Sequence, residues 1–265
     1  MDTLRYYARI YLLIEAQYIK ARLQYRADFI ISSIGMACSY AVGIITFWVL
    51  FTTIPNLAGW SLNELLFMYA FYLLSVTPLQ VFFDNIWSLR IKVRDGSFIR
   101  YYFRPLNMMF YYVSEVFDIK GLVQFVLGVI VLVYASVQLH LQWTLPQTGL
   151  FVVMLLSASL VMISIMVIAA SASFWIIDSF PVLALAFKLR EFAPYPVTIF
   201  DGFFRVVFTY IVPLGFVAFY PAQLFLRPGE ASPVVWASPL VGIALFALAY
   251  QVWSRGVNHY SGTGS

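Results

Sequence analysis

Charge is scarce in this chain. Asp, Glu, Lys and Arg supply 11% of its 265 residues, against about 25% in soluble domains, and those few are clustered. No charged residue lies between Asp28 and Glu64, and Leu65–Phe83, Gly121–Ile177, Val206–Leu226 and Ala231–Ser254 carry none. About 20 apolar residues cross the roughly 30 Å of membrane hydrocarbon, so these gaps describe a polytopic membrane protein with no room for a separate soluble domain. Histidine is nearly absent: His140 and His259 fall on opposite sides of the topology below and cannot share a metal. Cys38 is the only cysteine, which excludes an intrachain disulfide and leaves the compartment unread. There is no Gly-x-x-x-x-Gly-Lys-Ser/Thr phosphate loop, which excludes ATP binding by that route. No Ser, His and Asp share one depth as a triad requires. No acid falls in mid-span, where ion-coupled carriers place one.

What is abundant is apolar and aromatic: 62% hydrophobic residues and 19% Phe, Trp and Tyr. The expected fold class is all-α, with six transmembrane helices over Phe29–Ile54, Leu65–Phe83, Leu122–Leu139, Leu150–Ile177, Val206–Leu226 and Pro233–Val252. Gly121–Ile177 is too long for one span, and Gln138, His140, Gln142, Pro146, Gln147 and Gly149 supply a turn within it. Sidedness follows from Lys and Arg. Arg5, Arg9, Lys20, Arg22 and Arg26 precede the first span; Arg90, Lys92, Arg94, Arg100, Arg104 and Lys120 follow the second; Lys188, Arg190 and Arg205 follow the fourth; Arg255 follows the sixth. Only Arg227 falls on the other side, so the positive-inside rule makes both termini cytoplasmic. The net charge of +4 expresses this asymmetry and predicts no nucleic-acid partner. No cleavable signal peptide is expected.

Several segments stand out. Residues 3–27 mix five cations with Tyr6, Tyr7, Ile10, Leu12, Leu13, Tyr18, Ile19 and Leu23. They fit an interfacial helix on an anionic leaflet and equally an ordinary basic flank. Gly35, Ser39 and Gly43 recur every four residues in span one, and Ala169–Ser173 are all small. Small residues allow close helix approach, within the chain or toward another subunit. Glu115 or Asp118 could pair with Lys120 where span three begins, either as a structural pair or as a proton relay. The loop from Asp84 to Lys120 is too long for a turn and too apolar for a linker. Asp95-Gly96 ends one short helix and Arg104-Pro105 breaks the chain before another. Its basic residues alternate with Phe98, Tyr101, Tyr102 and Phe103. A lipid-facing amphipathic segment and a docking surface for a cytoplasmic partner both fit. Pro213 and Pro221 interrupt span five, and a re-entrant or interfacial hairpin fits Pro221–Pro233.

The stretch Gly96 to Asn107, closing on Arg104-Pro105-Leu106-Asn107, resembles that of ABC-2 type exporter permeases. The stretches Tyr195 to Phe200, Ile211 to Pro221 and Trp253 to Ser265 are similar to later parts of the same family. Length, six spans and inner termini extend the resemblance over the whole chain, and the branch it most resembles is the small viologen-exporter-type permeases. The resemblance implies an N-terminal connecting helix over 1–28, which includes Arg22 and Arg26, and a six-helix transmembrane domain over 29–265. Within that domain it implies a coupling loop at about 84–120 and an extracellular cap at about 221–233. Arg94, Asp95, Gly96 and Ser97, with Arg100 and Arg104, would meet a separate ABC ATPase. That subunit, not this chain, would hold ATP and Mg2+. A second and different permease, membrane lipid, a bacterial inner-membrane location and outward drug or viologen transport are implied in the same way. Gly35, Ser39 and Gly43 would pack subunits. The rivals are an ion-coupled secondary transporter or channel, a lipid-modifying membrane enzyme, and a scaffold subunit. No internal repeat of the kind common in secondary transporters joins the two halves.

Overall fold

The computed structural model describes residues 2–23 and 26–261. The helices are α1 (Asp2–Leu23), α2 (Arg26–Thr53), α3 (Leu62–Phe82), α4 (Leu89–Arg94), α5 (Met108–Ser114), α6 (Gly121–Gln138), α7 (Leu145–Ser171), α8 (Phe180–Arg190), α9 (Gly202–Val206), α10 (Phe219–Leu226) and α11 (Ser238–His259). The protein is an all-α polytopic membrane protein. Among the described residues, five stretches are long and apolar enough to cross a membrane: Phe29–Thr53, Leu62–Phe82, Gly121–Gln138, Leu145–Phe174 and Pro233–His259.

Local chemistry sets the helix ends. A capping box opens α3: the Ser61 hydroxyl accepts from the Glu64 amide, and Glu64 accepts from the Ser61 amide at 2.8 Å. Thr144 and Gln147 form the same device at α7, with Pro146 in the first turn. That device starts α7 at Leu145, so Pro146, Gln147 and Gly149 belong to the helix and not to the expected turn. The turn itself is shorter, with His140 in the left-handed region at φ 52°.

α3 is the hub. It packs against α6 and α7, and α7 packs along α11. Gly242 of α11 lies so close to α7 that an added Cβ would sit 2.7 Å from the Ser157 carbonyl oxygen, the close approach small residues permit in a bilayer. Pro78 interrupts the ladder of α3. Just ahead of it, Thr77 Oγ1 and Gln124 Nε2 both donate to the Leu73 carbonyl, at 2.9 and 2.7 Å, and the second bond ties α6 to α3. Burial separates α3 from α2: 83% of the most apolar stretch of α3 is buried, against 6% for α2.

The fifth crossing departs from expectation. Phe180 receives the Arg90 guanidinium on its ring at 4.8 Å, and Phe187 stacks on Trp87 with centroids 3.5 Å apart. Both partners lie just beyond the inner end of α3. Further along, Tyr195 meets Phe47, and Thr198 accepts from Trp60 Nε1 at 3.0 Å, at the outer end of α3. The chain therefore crosses between Phe180 and Thr198, first as α8 and then as turns. The expected span Val206–Leu226 does not cross. It follows a departure from Trp60 and leads back to it, because Arg227 lies over the same indole at 4.0 Å. In between, α9 runs on into a π-helical turn at Val207–Ile211, the chain breaks at Val212-Pro213, and α10 returns. Thr209 and Tyr220 hydroxyls lie 2.7 Å apart across the hairpin. The hairpin expected over Pro221–Pro233 is found instead from about Gly202 to Leu226. With the five long spans and this crossing, the described residues at either end, Asp2 and Ser261, fall on the basic side.

This relocation moves charge. Lys188 and Arg190 lie on the crossing, and Arg205 joins Arg227 at the outer end. Arg190 lies over the Phe187 ring at 5.2 Å and close to Tyr72, the central residue of α3. The expectation of spans without a mid-depth charge is corrected on this point. Charge gaps in the sequence hid the crossing because its own cations divide it.

Candidate functional site: the inner coupling segment

Residues 84–120 fold into one knot at the inner end. A 3-10 turn over Asp84–Ser88 leads into α4, which ends at Asp95. Gly96 follows in the left-handed region, φ 78°, a conformation that costs glycine nothing. A second 3-10 turn covers Ser97–Tyr101, and Asn107 caps α5 by accepting from the Phe110 amide at 3.0 Å. The helix, turn, helix order expected from Asp95-Gly96 and Arg104-Pro105 is present.

Phe98 pegs the knot into the bundle. It is fully buried, with ring centroids of Tyr101, Phe174 and Tyr260 at 5.0, 5.1 and 5.4 Å. Phe174 ends the α7 span and Trp253, 6.2 Å away, belongs to α11. Tyr102 adds a hydrogen bond to the Val257 carbonyl of α11. Tyr112 donates to the Asn85 carbonyl at 2.5 Å, and Asn85 Nδ2 donates back to the Tyr112 carbonyl. The Asp118 amide donates to the Val81 carbonyl at 3.0 Å, which ties the far end of the segment to α3.

Beneath the tip lies a charged cluster. Glu115 accepts from Lys92 at 3.0 Å, from Arg100 at 2.8 Å and from the Tyr101 hydroxyl. Lys92 also donates to the Tyr101 hydroxyl at 2.7 Å and lies 4.8 Å above the Tyr112 ring. Burial lowers the Lys92 amine below its ordinary range, and Glu115 opposes that shift. Burial, then the bond to Glu115, raises the Tyr101 phenol. Glu115 thus joins α4 to the second turn. Lys120 pairs with Asp118 at 3.7 Å, not with Glu115.

Each expected site residue can now be placed. Arg94, Asp95 and Ser97 are exposed around Gly96 at the tip. The Asp95 carboxylate accepts from the Ser97 amide at 2.9 Å, and the hydrogen bonds from Ser97 hold its carboxyl below the usual range. Ile91, Ile99 and Phe103 are bare beside them. Arg100 is tied to Glu115, and Arg104 lies 5.9 Å over the Tyr111 ring. The side chains of Arg22 and Arg26 lie outside the described residues. α1 itself reaches the segment: the Asn107 amide donates to the Tyr7 hydroxyl at 3.3 Å, and Tyr7 meets Phe110 at 4.8 Å. In α2, Gly35 and Ser39 are exposed, and nothing lies within 4 Å of a Cβ built on Gly35. Gly43 differs: its added Cβ would be 2.3 Å from the Tyr69 hydroxyl of the same chain. Its small size serves contact with α3.

Sequence reasoning missed Phe98 as the peg, the links of Glu115 to Lys92 and Arg100, and the outer clamp. That clamp is Arg227, which donates to Glu64 at 2.7 and 3.0 Å and to the Gly59 carbonyl at 2.6 Å. Only its lone position among outer-side cations signalled it.

A bundle of membrane-crossing helices with a folded, partly exposed segment packed at its inner end defines a multi-pass membrane protein. Residues 37–264 match the family described as ABC-2 family transporter protein, and the chain belongs to that family. It is a transmembrane permease subunit of an ABC transporter, and its family implies an ABC ATPase partner. No curated protein and no solved structure matches the chain.

Proposed function

We propose that the chain is the permease half of an ATP-driven exporter of the bacterial inner membrane. A separate ATPase binds ATP and Mg2+ and docks on Arg94, Asp95, Gly96 and Ser97, with Arg104 at the margin and α1, which carries Arg22 and Arg26, alongside. A second, different permease completes the pathway, and Gly35 and Ser39 lie on the α2 face it would cover. The carrying observation is the exposed Arg94–Ser97 tip mounted directly on the buried Phe98 peg. Closure of the ATPase pair moves the tip, and Phe98 passes that motion to α7 and α11. The cargo is hydrophobic, amphiphilic or a drug-like cation of the viologen kind, since aromatic rings accept flat cations. The half-buried Arg190 on the fifth crossing weighs against the cationic end of that range.

The test is purification in mild detergent followed by vanadate-sensitive ATP hydrolysis. A co-purifying ATPase whose stimulation is lost with Arg94→Glu or Gly96→Pro supports the reading. A lone chain that transports in vesicles on an ion gradient overturns it in favour of a secondary transporter. Arg190 does not supply that alternative with a proton carrier, because arginine stays charged.

A further inference from the structure

A second feature of the inner end lies apart from the tip. A cavity of about 430 Å³ opens between α4, the end of the α7 span and the end of α11. Arg90, Arg94 and His259 line it, and among the described residues none of the three forms an ion pair. Two of them are held by aromatic faces. Arg90 lies over the Phe180 ring at 4.8 Å, and His259 stacks on Trp175 with centroids 6.2 Å apart. Asp178, on the adjoining loop, does not line the cavity.

The other wall is bare and apolar. Trp175 and Ile176 are about half exposed and Ile177 is 90% exposed. These residues lie just past the inner end of the α7 span, where hydrocarbon meets headgroup. Trp favours that depth, and isoleucines left open there are covered by acyl chain. Arg90 and Arg94, without ion-pair partners among the described residues, complement a phosphate beside that apron, and the His259 ring can donate a hydrogen bond to it. An ATPase surface would satisfy the cations but would not by itself explain an apolar wall at membrane depth. Free phosphate would leave the apron bare.

We infer that this cavity is a binding site for the headgroup of an anionic phospholipid, its phosphate between Arg90 and His259 with Arg94 at the rim, and its acyl chains along Ile176 and Ile177. The lipid wedges between the coupling segment and the ends of α7 and α11. The site does not depend on the direction of transport or on the cargo.

The experiment is native mass spectrometry of the full chain released from micelles containing equal phosphatidylglycerol and phosphatidylcholine. The wild type should retain phosphatidylglycerol preferentially; Arg90→Gln should weaken retention about fivefold for the cation removed, and adding His259→Gln should weaken it further by taking away a ring N–H donor. Ile177→Asp is a second variant at an exposed position that leaves the core untouched. It places an anion at the lip and should also weaken retention. Equal retention of both lipids, or retention unmoved by both variants, overturns the inference. Displacement of the lipid by millimolar inorganic phosphate would make this a free-phosphate site instead. Loss of a co-purifying ATPase with lipid retention intact would make it a protein-docking surface. Either result also refutes the lipid assignment, whereas failure of the exporter reading would leave lipid retention unchanged.

Discussion

Phe98→Ala should part ATP turnover from transport. The Phe98 ring has no exposed surface and touches the ends of both α7 and α11. Truncating a buried phenylalanine to alanine costs about 3–5 kcal/mol. Here the loss falls on a short segment and not on the whole bundle, because α3, α6 and α7 pack without it. At tenfold per 1.4 kcal/mol, the undocked population of the segment rises by about two to three and a half decades. The tip itself is unchanged, so the ATPase still binds and hydrolyses ATP. In nanodiscs, basal hydrolysis should remain near wild type, while transport into inverted vesicles falls steeply. Phe98→Leu keeps most of the volume, loses less than about 1.5 kcal/mol, and should retain most transport. The neighbouring Ile99 is exposed, so Ile99→Ala is the control and should change little. Full transport by Phe98→Ala, with folding confirmed, would refute the claim that force travels through this ring.

Four further outcomes follow from the geometry. Gly43→Ala forces the Tyr69 ring aside and breaks its 2.9 Å bond to the Tyr40 carbonyl; overpacking of about 1–3 kcal/mol plus about 0.5–1.5 for the bond should lower the melting temperature clearly. Gly35→Ala meets open space and should stay within about 0.5 kcal/mol in the same melt, while Gly35→Leu should shrink the purified complex if a second permease covers that face. Arg227→Ala releases the outer hairpin, at a cost of about 1.5–3 kcal/mol for a charge-assisted bond, and should speed proteolysis near Gly229; Arg227→Lys should not restore protection, because lysine lacks the fork that meets both Glu64 oxygens. Glu115→Gln should destabilise more than Lys92→Met, since it leaves Lys92 and Arg100 without their shared anion, and paired thermal melts would order the two.

Much of the architecture was legible because water and hydrocarbon impose a strong rule on side chains. Charge-free gaps located α2, α3, α6, α7 and α11, and Asp95-Gly96 announced its turn through the left-handed conformation that glycine adopts freely and most residues do not. The fifth crossing was not legible, for a reason in the same rule. α8 carries Lys188, Arg190 and, just after it, Glu191, so a search for charge-free runs passes over it and settles on Val206–Leu226. From Leu214 to Ala222 that run is apolar because it is buried against α3 and α7 at the outer end, not because it crosses, while Val206, Tyr210 and Ile211 ahead of it stay exposed. Burial within protein and burial in lipid select the same residues, and only contacts tell them apart. The two contacts on Trp60 do so here. The same limit hid the peg: Phe98 is one aromatic among several in its loop, and the sequence does not show which of them points inward. It also split the Gly35, Ser39 and Gly43 stripe. Four-residue spacing drifts around a helix of 3.6 residues per turn, so after two steps Gly43 has rotated from the free side of α2 to the side that meets Tyr69. A periodic motif in a span therefore identifies a face only locally, and the partner of each small residue has to be read from the packing.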